Sequence, residues 1–313
     1  MSISLEYGET SEKHKGLSPK IKGYGAMVLV LVIWSGFALT VRSITSSPLT
    51  MVDVALIRFS TSLLILAPFI KTHFRAIWAL RISDWLLILL GGAPFLFLAS
   101  IGASSTPTAY VGSILAGTPP LLIAICSFIV YRKRPTGLQL MALLSIAIGI
   151  LVMIAGGHSH TQLSHGVVVL LGAAWLWAGY TFGLKRVGLH PIAAAIVLAA
   201  SSLVVTGCVL LFNLSPSHLG DFSFQQALPY GIVQGIGVGV ISTISFCYAV
   251  QQLGSQIAAT FGAMSPGLTA LLAMVFFNEP LSFLMLVGIG LTAVGVLLTS
   301  RVIDFSQGEN HSC

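Results

Sequence analysis

Ten apolar stretches, each about long enough to cross roughly 30 Å of hydrocarbon as a helix, succeed one another along the chain: 24–44, 52–70, 85–103, 108–131, 137–156, 165–184, 191–212, 229–250, 255–277 and 281–301. Polar residues gather between them. This pattern predicts an all-α integral membrane protein of ten transmembrane helices. Strands find no place in it, because the apolar runs are too long and too unbroken to alternate between two faces of a sheet.

The basic residues sharpen that outline. Thirteen of the fifteen Lys and Arg fall at alternate gaps: Lys13 to Lys22, then Lys71, Arg75 and Arg81, then Arg132 to Arg134, then Lys185 and Arg186, then Arg301. Basic residues are retained on the cytoplasmic side of a multi-pass protein. The alternation therefore places both termini in the cytoplasm of a cell whose inner (plasma) membrane holds the chain, and it supports an even number of spans. Residues 1–22 and 303–313 read as cytoplasmic tails. A cleaved signal peptide is the alternative for the first stretch, but the run from Tyr24 to about Val41 exceeds the length of a signal's apolar core, and no small-x-small cleavage site follows.

With 56% hydrophobic and 8% charged residues, the chain lies far from soluble domains, of which about a quarter is charged. Its net charge of +6 sits in short loops that face anionic headgroups of the lipid bilayer, so nucleic acid has no part in the account. Cys126, Cys208 and Cys247 fall inside apolar stretches and Cys313 is the last residue, which indicates no disulfide framework.

The two halves repeat. AGTPPLLIAICSFIVYRKRP, from Ala116, aligns with AMSPGLTALLAMVFFNEPLS, from Ala263, so that Pro119 matches Pro266; the following helices share a late glycine, Gly149 and Gly295. WSGF at Trp34 matches WAGY at Trp177, and Arg42 aligns with Lys185. Residues 23–157 and 164–302 form the two repeats. Five helices in each force opposite orientations, the inverted-repeat plan of many secondary transporters.

These residues resemble the EamA-type branch of the drug/metabolite transporter superfamily over about residues 23–302. The resemblance rests on Trp34 and Trp177, on Arg58-Phe59, on Pro119 and Pro266, and on the NEPLS segment from Asn278. It implies ten helices, two EamA repeats, and export of a small-molecule substrate such as an amino acid or another metabolite. The family often carries an acid after the fourth helix of each half. Here only Glu279 is present, and the first copy reads YRKRP, whose basic residues help hold that loop in the cytoplasm.

Candidate chemistry follows from what is polar within the spans. Arg58 lies about six residues into its helix, roughly 9 Å of rise, and a retained intramembrane arginine faces the bundle interior with a partner. Two roles are open to it: a structural ion pair or carbonyl clamp, or a site for an anionic group such as a substrate carboxylate. Arg42 and Asp53 flank the first connection at similar depth, which favours an ion pair between them over contact of Arg42 with substrate; with Glu279 they form a structural pair or gate. Pro119 and Pro266 each remove a helical hydrogen bond. Duplicated breaks point to a midplane site or hinge, whereas neighbouring Thr118 and Ser265 would satisfy an ordinary kink. Trp34 and Trp177 lie deep in their helices, where an indole N–H wants a partner; they face a shared polar cavity or pack against helices. Tyr180 and Gln234 are candidates of the same kind. Together, Arg58, Trp34, Trp177, Thr118, Ser265, Tyr180 and Gln234 form the expected substrate pocket.

Other motifs are read without chemistry. GIGVG at Gly235–Gly239 has no preceding strand and is a helix-packing face, and His158, His160 and His165 stand in a loop without Cys or acidic company, so no metal or cofactor is expected. Neither HExxH nor GxSxG occurs, which leaves an enzyme without a visible constellation, and a channel would ordinarily carry rings of charge. A facilitator or an exchanger or importer stays open beside an exporter. Alkaline phosphatase fused after residue 160 is expected to be active, as an enzyme that matures only outside the cytoplasm, and a fusion after residue 134 inactive. The reverse result overturns the orientation.

Overall fold

Local signals set where the helices begin and stop. In this computed structural model, which describes residues 18–44, 47–106, 108–132, 136–155, 163–277 and 282–308, helix α1 spans Pro19–Ile44 and α2 spans Met51–Trp78. Thr50 caps α2: its Oγ accepts from the Asp53 N–H, and the Asp53 carboxylate accepts from the Thr50 N–H at 2.8 Å. This reciprocal box satisfies two donors that a helix start otherwise leaves bare. At its other end α2 runs eight residues beyond the apolar stretch, taking in Lys71 and Arg75, because cations in a last turn are favoured by the carbonyl end of the helix.

The third apolar stretch is two helices, α3 (Ile82–Leu89) and α4 (Ala93–Ser104), and the fourth is α5 (Thr108–Gly117) and α6 (Pro119–Tyr131). Helices α7 (Gly137–Ala155), α8 (Leu163–Val187) and α9 (Pro191–Leu211) follow. Then α10 (Phe224–Tyr230) runs into a π-helical segment, Gly231–Ser242, which continues as α11 (Thr243–Leu253). A positive φ of 90° at Gly254 turns the chain into α12 (Ser255–Gly262), followed by α13 (Ser265–Phe277) and α14 (Phe283–Gly308). That φ is open to glycine at little cost.

No strand occurs among the described residues, and six spans are long and apolar enough to cross a membrane: Pro19–Val41, Met51–Trp78, Ile82–Ser104, His165–Val187, Pro191–Leu211 and Phe224–Leu253. Gly137–Val152 and Leu286–Gly295 are shorter apolar helices. Leucine, isoleucine and phenylalanine side chains stand exposed along many of these faces, as expected where lipid rather than water is the solvent.

Packing is crosswise between the halves. Helix α1 lies against α11 and α13, and α8 lies against α4 and α6; α2 packs along α9, and α7 along α14. Exchanging the two halves maps each of these contacts onto another or onto itself. The α7–α14 pair shows it at atomic scale. A Cβ on Gly149 would stand 2.7 Å from the Gly288 carbonyl oxygen and 2.6 Å from Thr292 Oγ; one on Gly295 would stand 2.7 Å from the Ala142 carbonyl oxygen and 2.6 Å from Ile146. Each glycine lets the facing backbone come close, which in lipid gains van der Waals contact that apolar bulk alone does not supply. Gly149→Ala and Gly295→Ala should each lower stability by about 1–3 kcal/mol through overpacking, read as a fall in the unfolding midpoint in detergent. Gly290→Ala is the control, since its Cβ would meet nothing within 4 Å.

Candidate functional site

Arg58 is 3% exposed on the inner face of α2. Its guanidinium lies 5.7 Å from the ring centre of Phe37 and 5.4 Å from that of Phe59, and Nη1 donates a long hydrogen bond, 3.5 Å, to Gln234 Oε1. Ring faces are favourable company for a desolvated cation. Nε has no hydrogen-bond partner among the described residues. A buried donor on a charged group that goes unmet is expensive.

The π segment delivers Gln234 to this position. Gly235 and Gly239 face α2 so closely that a Cβ on the first would stand 2.7 Å from Thr61 and on the second 1.9 Å from Ser62 Oγ. Ser62 uses the approach, donating to the Arg58 carbonyl at 2.7 Å and the Gly235 carbonyl at 3.2 Å. Gln234 is fully buried and donates through Nε2 to Thr40 Oγ at 2.9 Å, while the Thr40 hydroxyl donates to the Phe37 carbonyl at 2.8 Å. One amide therefore ties Arg58 to α1. π-helical turns are rare and recur at functional sites.

Aromatic rings build the adjoining wall. Trp34 and Trp177, the matched tryptophans of the two halves, meet edge to face at 5.2 Å and 82°. Phe246 lies 5.3 Å from Trp34 and 5.4 Å from Trp177; Phe95 and Tyr180 lie 4.9 and 5.1 Å from Trp177. The Trp34 indole N–H donates to Ser242 Oγ at 3.0 Å, so its burial is met by a partner on the π segment. Tyr180 is 1% exposed, with its hydroxyl 3.5 Å from Cys247 Sγ.

Several of these groups border a cavity of ≈ 70 Å³. That is space for several waters or one small organic molecule. Arg58, Trp34, Trp177, Phe95, Ser265 and Thr269 are on its wall, which draws on α1, α2, α4, α5, α8, the π segment and α13. A second space of ≈ 10 Å³, about one water, lies between Arg58, Tyr180, Trp34 and Trp177. Arg58 borders both.

Of the residues expected in the pocket, the structure thus gathers Arg58, Trp34, Trp177, Tyr180 and Ser265 around these spaces and sets Gln234 behind Arg58. Thr118 stands apart. It occupies the break between α5 and α6, and its hydroxyl donates to the Ile114 carbonyl at 2.6 Å. Pro119 opens α6 directly after it, and Pro266 is the second residue of α13, so both prolines fall where their helices restart.

Asp53 is turned to other work. Besides capping α2, it accepts from the Ser217 hydroxyl at 2.5 Å and the His218 N–H at 3.1 Å, while His218 Nδ1 meets the Pro48 carbonyl at 2.8 Å. The carboxylate fastens the α9–α10 loop to the α1–α2 loop. Arg42 lies in the last turn of α1; its side chain, the ring of Pro266, Glu279 with the rest of the NEPLS core, and His158 and His160 lie outside the described residues.

A model of the EamA-like transporter family matches residues 21–155 and again residues 164–301. The chain belongs to the EamA-like transporter family. This EamA transporter is 26% identical over 297 residues to the threonine/homoserine exporter RhtA of Salmonella typhimurium strain LT2, with 90% of each chain covered. To RhtA of Escherichia coli K12 it is 25% identical over 268 residues, covering 79% of this chain and 82% of that one. An uncharacterized Bacillus subtilis transporter, YwfM, is 24% identical over 297 residues, covering 88% of this chain and 93% of that one. One crystal structure shares the fold with a TM-score of 0.68 at 17% identity, covering 91% of this chain and 96% of that one. Membership makes the protein a multi-pass membrane transporter, and its relatives are transporters rather than enzymes.

Several contributors escaped the sequence reading: Thr40 and Ser242 as partners, Phe37, Phe95 and Phe246 as walls, and Thr269. For Thr269 a signal existed, since it follows Ser265 by four residues and so shares its face of the helix. The phenylalanines carry no such mark among seventeen. In a double-mutant cycle Gln234→Ala with Thr40→Ala, unfolding in detergent should show a coupling of roughly 0.6–1.7 kcal/mol, the range for polar pairs between membrane helices.

Proposed function

We propose that the protein is a secondary transporter that exports a small organic metabolite carrying a carboxylate, such as an amino acid, by alternating access across the inner membrane. The observation that carries this reading is Arg58: a 3% exposed guanidinium with an unmet Nε at the edge of a cavity that both repeats enclose. A carboxylate supplies the charge and the acceptors that such a group lacks. The aromatic wall would hold the apolar part of the substrate, and Trp34, Trp177, Tyr180 and Ser265 would shape its fit, with Gln234 aiming Arg58. RhtA, whose two substrates bear a carboxylate, agrees with this choice.

The same reading takes the chain as ten transmembrane helices in two inverted repeats, 23–157 and 164–302, between cytoplasmic tails at 1–22 and 303–313. The crosswise packing supports it, as do the exchanged contacts of Gly149 and Gly295 and the two separate family matches. Alternating access would then be rocking of one repeat against the other about the site, with the restarts at Pro119 and Pro266 as the points of bending. Arg42, Asp53 and Glu279 would act at one face as a gate or clamp. Asp53 holds four hydrogen bonds that join two loops, which favours exchange or facilitated movement over transport driven by a proton carried on that residue.

In proteoliposomes, counterflow of a carboxylate substrate should be saturable. Arg58→Gln should reduce it at least about a hundredfold, since lost charge-assisted pairing in a buried site is worth about 3 kcal/mol or more, while the protein still reaches the membrane and elutes as a single species. Full activity in that variant overturns the carboxylate assignment.

A further inference from the structure

Several threonines in this bundle return their hydroxyls to the backbone. Thr118, Thr181, Thr206, Thr260 and Thr292 each donate to the carbonyl four residues back, at 2.6–2.9 Å. That bond is the ordinary way to satisfy a hydroxyl away from water. Thr269 does otherwise. Its residue is 3% exposed on α13, and its Oγ, closed off from solvent, has no hydrogen-bond partner among the described residues. The cavity it borders is the one that Arg58 borders.

The repeat shows that packing does not ask for this hydroxyl. In the alignment that matches Pro119 with Pro266, Thr269 corresponds to Leu122, which is buried in an apolar cluster with Ile123, Ala174, Ala178 and Ala259. One half fills the position with hydrocarbon. The other buries an unpaired hydroxyl there, at a cost of about 1–3 kcal/mol, beside the space that holds the unmet guanidinium.

We infer that Thr269 is a specificity-determining residue whose hydroxyl pairs with a hydroxyl on the substrate's chain, so that the transported class is short hydroxylated carboxylates rather than purely aliphatic ones. This rests on the reading of the Arg58 cavity as the transport site. Arg58 reaches the cavity from α2, which packs on α9 and the π segment, and Thr269 reaches it from α13, which packs on α1 and α5. The two approach from different sides. An α-ammonium is attached to the carbon next to the carboxylate and stays beside the group that Arg58 holds, so the atom that meets Thr269 lies farther along the chain. A χ1 step of about 120° exchanges the threonine hydroxyl and methyl, which turns Oγ toward the cavity when a partner arrives. A site built to pair with a substrate hydroxyl rejects the isostere that lacks it, because the protein's own polar group is then left bare.

The test uses two isosteric pairs in which a methyl replaces the hydroxyl: threonine with valine, and 3-hydroxybutyrate with 3-methylbutyrate. Counterflow competition in proteoliposomes of the full chain gives the hydroxyl-to-methyl preference of each pair. The wild type should prefer the hydroxylated member at least about tenfold in a pair that it carries. Thr269→Val should bring that ratio to near one or below, and Thr269→Ser should keep it. A purely structural threonine would lower both members of a pair together and leave the ratio alone, and that result overturns the inference, as does a wild type without preference. A wild type that carries none of the four, or an Arg58→Gln variant that carries them normally, defeats the carboxylate reading itself and the inference with it. Loss of carboxylate transport in Arg58→Gln with an unaltered ratio in Thr269→Val defeats the inference alone.

Discussion

A guanidinium taken out of water is among the costliest groups that a membrane bundle can hold, and much of the surrounding structure is arranged to keep it in place. Arg58 has two phenylalanine rings beside it and one amide at long hydrogen-bonding distance. Gln234 is fixed in turn by Thr40, and the segment that bears it is drawn against α2 by Gly235 and Gly239. What these partners leave unmet is as informative as what they meet. Full neutralisation by the protein would leave nothing for a charged guest to gain; partial support is what the proposed carboxylate site would need, an arginine stable enough to fold around with one donor still unmet.

Crosswise packing supplies the frame in which that balance is possible. Each repeat sends its first helix against later helices of the other, so the matched tryptophans Trp34 and Trp177 meet at the centre although 142 residues of chain separate them. Lipid gives helices no hydrophobic reason to associate. Close backbone approach at glycines, and polar ties such as Trp34 to Ser242 and Ser62 to Gly235, take over that task. Those ties cluster near the cavity, which makes the site also a structural centre.

How much of this was legible in the residues depends on whether a signal was local. Hydrophobic runs located the helices, since length and apolarity are properties of a segment alone, and the prolines marked the restarts of α6 and α13. The intramembrane arginine announced itself by cost. The breaks at Leu90–Gly92 and the π segment were not foreseen, because both arise from how a neighbouring helix approaches. Asp53 illustrates the same limit: its nearness to Arg42 in sequence suggested one partner, whereas the described carboxylate is engaged by Thr50 and by a loop more than 160 residues away. Thr118 and Ser265 looked equivalent by alignment, yet the first hydroxyl closes on its own helix and the second residue borders the cavity.

That inequality bears on how such a molecule can change over time. If the Arg58 cavity is the transport site, the two copies would share the labour of bending, since each has its restarted helix, whereas recognition would be lodged in positions that the copies do not share: Arg58 in one, Thr269 against Leu122 in the other. Duplication thus separates the mechanical part from the discriminating part. On that reading a lineage could alter what it carries by substitution at a few unmatched wall positions of one copy, while the matched core on which the halves would rock stays as it was.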